Sequence, residues 1–281
     1  MLWILALLGC QQRGVDLDAT LAACEGDSYG RPCQARLSAD IGLDYASFGL
    51  EGVGHDDDEA YLQYLRLMGG LHHLLNSEAG VIRDLERVDG LPRKHLRRYR
   101  RLAEDYNLSS DDPASWLFYL YVADYIKETV YGDYDDYLVM SFDDRTLTVF
   151  DLYESHNFNA SSLVHEASHR WQRHRFGVFC LDELVLMDQY PDGAYGNEAL
   201  YLYQQLRGDW SEAGGPSASS ASGAMETLLE ELSLTCEHII VDSAYEPCQW
   251  LAAATGAPSE PFDCEAYEAA WAEAEAAGLV R

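Results

Sequence analysis

Basic residues are scarce in this chain: 19 Lys and Arg stand against 48 Asp and Glu, a formal net charge of −29 over 281 residues. A surface of that sign repels nucleic-acid phosphates and anionic lipid headgroups, which excludes a general polyanion binder. It favours solubility without dictating any chemistry. Long apolar runs are missing too. The most apolar stretch, Met1 to Gly9, falls well short of the roughly twenty residues that a spanning helix needs. The seven cysteines include no C-x-x-C pair, which argues against a cysteine zinc cluster. No phosphate-binding glycine loop or dinucleotide fingerprint occurs, so the familiar nucleotide and nicotinamide readings fall away.

What is present is enough for a real core. The chain is 48% hydrophobic and 12% aromatic, the composition of one large domain or of a domain with a small appendage. At its start, Leu7-Leu8-Gly9-Cys10 resembles the lipobox of bacterial lipoproteins, in which the leader is cut before a cysteine that then carries lipid. The resemblance implies a signal peptide over 1–9 and a lipid on Cys10. The protein would then sit in the bacterial cell envelope, anchored at the outer membrane or cell surface, or be secreted. Setting Cys10 aside leaves Cys24, Cys33, Cys180, Cys236, Cys248 and Cys264, an even set that suits an oxidising compartment. Fifteen pairings are possible for six cysteines. Short separations favour Cys24 with Cys33 and Cys236 with Cys248, which leaves Cys180 for Cys264.

Residues 10–55, rich in Gly, Asp and small side chains, read as a loop-rich tether stapled by Cys24 and Cys33. Asp56-Asp57-Asp58-Glu59 then opens a run with Tyr61, Leu65, Met68 and Leu71 at helical spacing. The four acids fit a helix start and lack the pattern of an EF-hand loop. His72 and His73 are adjacent, so they diverge on a helix and read as surface or packing residues. The basic run Arg93 to Arg101 is expected to pair with acidic neighbours of the same chain. Residues 114–130 read as a helix whose aromatic face is core. Two short strands, 137–140 and 146–153, flank the turn Asp143-Asp144-Arg145. A helix follows, capped by Asn159, Ser161 or Ser162 and expected to run through Arg175 until Gly177 breaks it. Further helices are expected from Pro191 to Leu206, from Met225 to Ile240 and from Ala266 to Ala277, with a flexible loop at 214–223.

The Asn159 helix carries His165-Glu166-Ala167-Ser168-His169, an H-E-x-x-H pattern whose two imidazoles can chelate one zinc ion. At about 100° per residue the two histidines differ by about 40°, while Ala160, Leu163, Val164, Ala167 and Trp171 gather away from them. Core and metal faces are thus separated on one helix.

On these residues the chain resembles the zincin metallopeptidases, with the likeness centred on 137–206. The metzincin extension is absent, since Gln172 and Arg175 hold its positions and His174 lies on the far side of the helix. Gly196-Asn197-Glu198-Ala199-Leu200-Tyr201 resembles the gluzincin element that supplies a third ligand, with Tyr201 and Leu202 where thermolysin-like enzymes carry Ser and Asp. The resemblance implies an α+β, predominantly helical fold with a small sheet and an active-site helix. The zincin-like domain would span 56–281, its helical part 56–131 and its strands and active-site helices 132–281. It also implies one Zn2+ held by His165, His169 and Glu198, with Glu183, Asp188, Asp192 and Glu230 as rivals to Glu198. Glu166 would be the general base, and Tyr195, Tyr201 and His238 the available oxyanion donors. The expected activity is zinc-dependent hydrolysis of peptide or protein substrates, with no nucleic-acid partner and with membrane contact only through a lipid on Cys10. Two other readings remain open: a zincin-like envelope module for binding or assembly without catalysis, and a zinc amidase acting on a non-protein amide.

Overall fold

The computed structural model describes residues 14–26, 30–51, 59–77, 80–132, 140–143, 145–169, 176–178, 184–186, 193–212, 223–237, 239 and 245–255. The fold is α+β and mostly helical. It begins with α1 (Leu17–Cys24) and α2 (Arg31–Asp40), then α3 (Glu59–Asn76), the short α4 (Ile82–Leu85), α5 (Arg93–Asp105) and α6 (Ala114–Tyr125). Strands β1 (Glu128–Tyr131), β2 (Met140–Asp143) and β3 (Thr146–Val149) precede α7 (His156–Ser168). An antiparallel strand pair, β4 (Phe176–Val178) and β5 (Leu184–Leu186), precedes α8 (Ala194–Glu212), α9 (Gly223–Glu237) and α10 (Glu246–Thr255) in the chain.

The core is built around α6. Every residue from Leu117 to Ala123 is fully buried, as expected of a helix that is apolar on all sides. It stops at Tyr125, earlier than its sequence suggests. Thr129 and Val130 leave the helix because β-branched side chains fit a pleated strand, and β1 pairs in parallel with β3, Thr129 opposite Leu147. β2 joins the other side of β3 antiparallel, with Asp143 opposite Thr146. Just before β3, Arg145 adopts a φ of 86°.

The N-terminal segment is not only loop. Two helices form there, joined by a Cys24–Cys33 disulfide, and Cys33, Leu37, Ile41 and Phe48 are fully buried. The segment docks on β1 through a Leu43–Thr129 bridge and through the Thr129 hydroxyl, which donates to the Ile41 carbonyl at 3.0 Å. Gly42 makes this possible. Its φ is 64°, and a Cβ there would stand 1.9 Å from the Lys127 carbonyl oxygen. The second disulfide, Cys236–Cys248, ties α9 to α10. Cys10, Cys180 and Cys264 lie outside the described residues, as does the expected helix at 266–277.

On α5 the basic run forms ion pairs within the chain, Arg100 with Glu86 at 2.7 Å and Arg101 with Asp105 at 3.6 Å. Among the described residues no helix is long and apolar enough to cross a membrane.

Candidate metal centre

Helix α7 is set in place from its N-terminal side by α3. Gly69 and Gly70 leave the room: a Cβ at Gly69 would lie 2.2 Å from Nδ1 of His156, and one at Gly70 2.9 Å from the Asn159 Cβ. The loop leading into α7 is clamped to the same helix. The Leu152 amide donates to Gln63 Oε1 at 2.7 Å, and Arg66 Nη1 donates to the Leu152 carbonyl at 2.7 Å.

Asn159 has a different job from the expected cap. The helix starts three residues earlier, at His156, behind Ser155, whose side chain makes no capping bond. Asn159, fully buried, accepts from the Tyr153 amide at 3.0 Å and donates to the carbonyls of Tyr153 and Arg66. The Ser161 hydroxyl lies within hydrogen-bond reach of the Phe158 carbonyl and of Glu231, with one proton to give, and is no cap either. The helix also ends earlier than expected. Ser168 is its last residue, His169 is the C-cap, and 176–178 is a strand. Phe176 and Val178 flank Gly177 in a segment that pairs with Leu184–Leu186, and a paired strand satisfies its backbone without helical turns.

The core face of α7 is as its spacing predicts: Ala160, Leu163, Val164 and Ala167 are fully buried. On the other face the ligand atoms of His165, Glu166 and His169 lie within 4.8 Å of one another, a group that can hold a metal ion. The two rings sit 4.9 Å apart at 74°, and Nε2 of His169 is 3.9 Å from Glu166 Oε2. The donor set fits a divalent transition metal, since two imidazoles and a carboxylate are borderline-soft nitrogen and hard oxygen ligands.

The first turn of α8 is held against the end of α7 by a buried polar network. Ser168 Oγ accepts from Tyr121 at 3.1 Å and from Asn197 Nδ2 at 2.9 Å, and donates to the Val164 carbonyl at 2.8 Å. Tyr99 donates to Asn197 Oδ1, and Tyr245 to the Gly196 carbonyl. With its neighbours so fixed, Glu198 is delivered to His165, its Oε2 3.0 Å from the ring Nδ1. A carboxylate at Nδ1 sets the tautomer with the proton on that nitrogen, leaving Nε2 as the lone-pair donor. Glu198 does not belong to the group within 4.8 Å.

Of the other expected residues, Tyr195 packs edge-on against His165 at 4.5 Å between ring centres. Tyr201 is fully buried in the core with its ring edge on Phe118 at 5.2 Å, so packing accounts for its place. Glu230 is exposed. His238, Glu183, Asp188 and Asp192 lie outside the described residues.

The residue that sequence reasoning missed is Glu231. It is 4% exposed on α9, and one carboxyl oxygen accepts from Ser161. Burial raises its pKa to about 8, with the Glu198 charge adding to the shift and the Ser161 bond opposing it. A signal did exist: Glu231 falls on the apolar face that Leu228, Leu232 and Thr235 define, where an acid is out of place. No family model, curated protein or solved structure matches the chain.

Proposed function

We propose that this protein is a zinc-dependent hydrolase of peptide bonds, carried in the bacterial envelope on a lipidated Cys10. The observation that carries the reading is the convergence of His165, Glu166 and His169 on one helix face beside an acid that orients the first ring. His165 and His169 would hold the ion. Zinc in such a site lowers the pKa of water to about 7 and polarises a carbonyl. Glu166 takes the proton from the attacking water and hands it to the departing amine. Tyr195, whose ring lies against His165, would supply the phenol that donates to the oxyanion.

The test uses the purified chain on a peptide library read by mass spectrometry. Glu166→Gln is expected to keep zinc and to lose hydrolysis by at least about 100-fold; full activity in that variant removes Glu166 as the base. Glu198→Ala separates two roles. A lost zinc equivalent makes Glu198 the third ligand, and a retained one with about 10- to 100-fold weaker affinity makes it the acid that orients His165. Zinc binding with no cleavage of any peptide would favour a binding or assembly module, or an amidase acting on a non-protein amide.

A further inference from the structure

We infer that Glu231 belongs to the metal centre, as a positioning residue that places a second buried negative charge beside Glu198. The inference rests on the zinc reading above and adds to it a residue on a third helix.

Three observations carry it. Glu231 is anchored to the metal-bearing helix itself, because its carboxyl accepts from Ser161, one turn before His165. Its other oxygen, Oε2, is buried and has no hydrogen-bond partner. Glu198, whose charge reaches Glu231, is itself only 9% exposed and is bonded to His165. Among the described residues no lysine or arginine pairs with either acid. A buried carboxyl oxygen without a donor is costly, and two neighbouring acids out of water repel each other with little screening. A divalent ion held by His165 and His169 would offset the repulsion between the two acids and favour the ionised form of Glu231. In return the ionised Glu231 strengthens the field that retains the ion, and its anchor on Ser161 keeps that charge at a fixed place on α7.

The test is metal affinity and not turnover. Chelator-stripped protein is titrated with Zn2+ against a chromogenic indicator, and with Co2+ while its visible d–d bands are followed. Glu231→Gln keeps the bond to Ser161 and removes the charge; it is expected to weaken zinc about 10- to 100-fold and to alter the Co2+ bands. Glu226→Gln, an exposed acid on the same helix, should change neither. In a Glu198→Ala background the loss on Glu231→Gln should be smaller than in the parent, since the two acids act together.

If Glu231→Gln fails to fold, Ser161→Ala is read instead. It removes the anchor and keeps the charge, and several-fold weaker zinc binding is expected; parental affinity would overturn the inference. Wild-type affinity and spectrum in a folded Glu231→Gln, with binding still abolished by His165→Ala, would sink the inference and leave the zinc reading standing. A parent protein that binds neither ion would sink both.

Discussion

Glu231 and His73 show how a single buried titratable group links the fold to pH. His73, on α3, is pushed down to about 4 by burial, with the nearby His156 and His72 adding to the effect. Its folded pKa is below the unfolded one, so stability from this group is lost as pH falls from about 6.5 towards 4. Glu231 works the other way. With a folded pKa of about 8, it is protonated in the folded state where the unfolded chain has already ionised, so its contribution is full below about pH 4.5 and is lost as pH rises to about 8. The two oppose each other up to about pH 6.5, above which only Glu231 is still titrating. Metal-free protein should therefore lose stability between pH 6.5 and 8 at up to about 1.4 kcal/mol per pH unit. Glu231→Gln should flatten that limb in denaturant titrations at several pH values, and an unchanged slope would assign the limb to other groups.

At the scale of elements, the site depends on how closely α7 approaches α3 and α8. Gly69 lets α3 pass the His156 ring, and a methyl there has no room unless that ring or α7 moves. Gly69→Ala is expected to cost about 1–3 kcal/mol of stability, measurable as a lower denaturation midpoint, with metal affinity falling in step as α7 shifts. A midpoint equal to the parent's would show that the ring moves aside freely. The staple between α9 and α10 bears on the same site, because α9 carries Glu231. Replacing Cys236 and Cys248 together by Ser should lower stability by about 2–4 kcal/mol, seen as a drop in the thermal midpoint that reductant no longer deepens at this bond.

For the whole molecule, the proposed ion on His165 and His169, beside Glu198 of α8, should be felt as global stability. Zinc at about 100 times its dissociation constant should add about 2.7 kcal/mol, and chelator should reverse it; a thermal midpoint indifferent to both would leave the histidines a packing pair. Much of this was legible in the chain. The period of α7 separated Ala160, Leu163, Val164 and Ala167 from His165 and His169, and short separations paired four of the cysteines. The burial of the α6 region followed from its apolar spacing, and the fold class from the resemblance that the H-E-x-x-H helix carries. These are local properties, set by neighbours within a turn or two, and so a linear string records them. Where α7 starts and stops was not recorded, since Asn159 is taken by the Tyr153 loop and 176–178 by a partner strand. Nor were the role of Ser168, the place of Glu198 at Nδ1 of His165, or the arrival of Glu231 from a distant helix. Each of those depends on which surfaces meet when the helices pack, and the energy that decides it, burial of a polar group with or without a partner, exists only once the chain has closed around it.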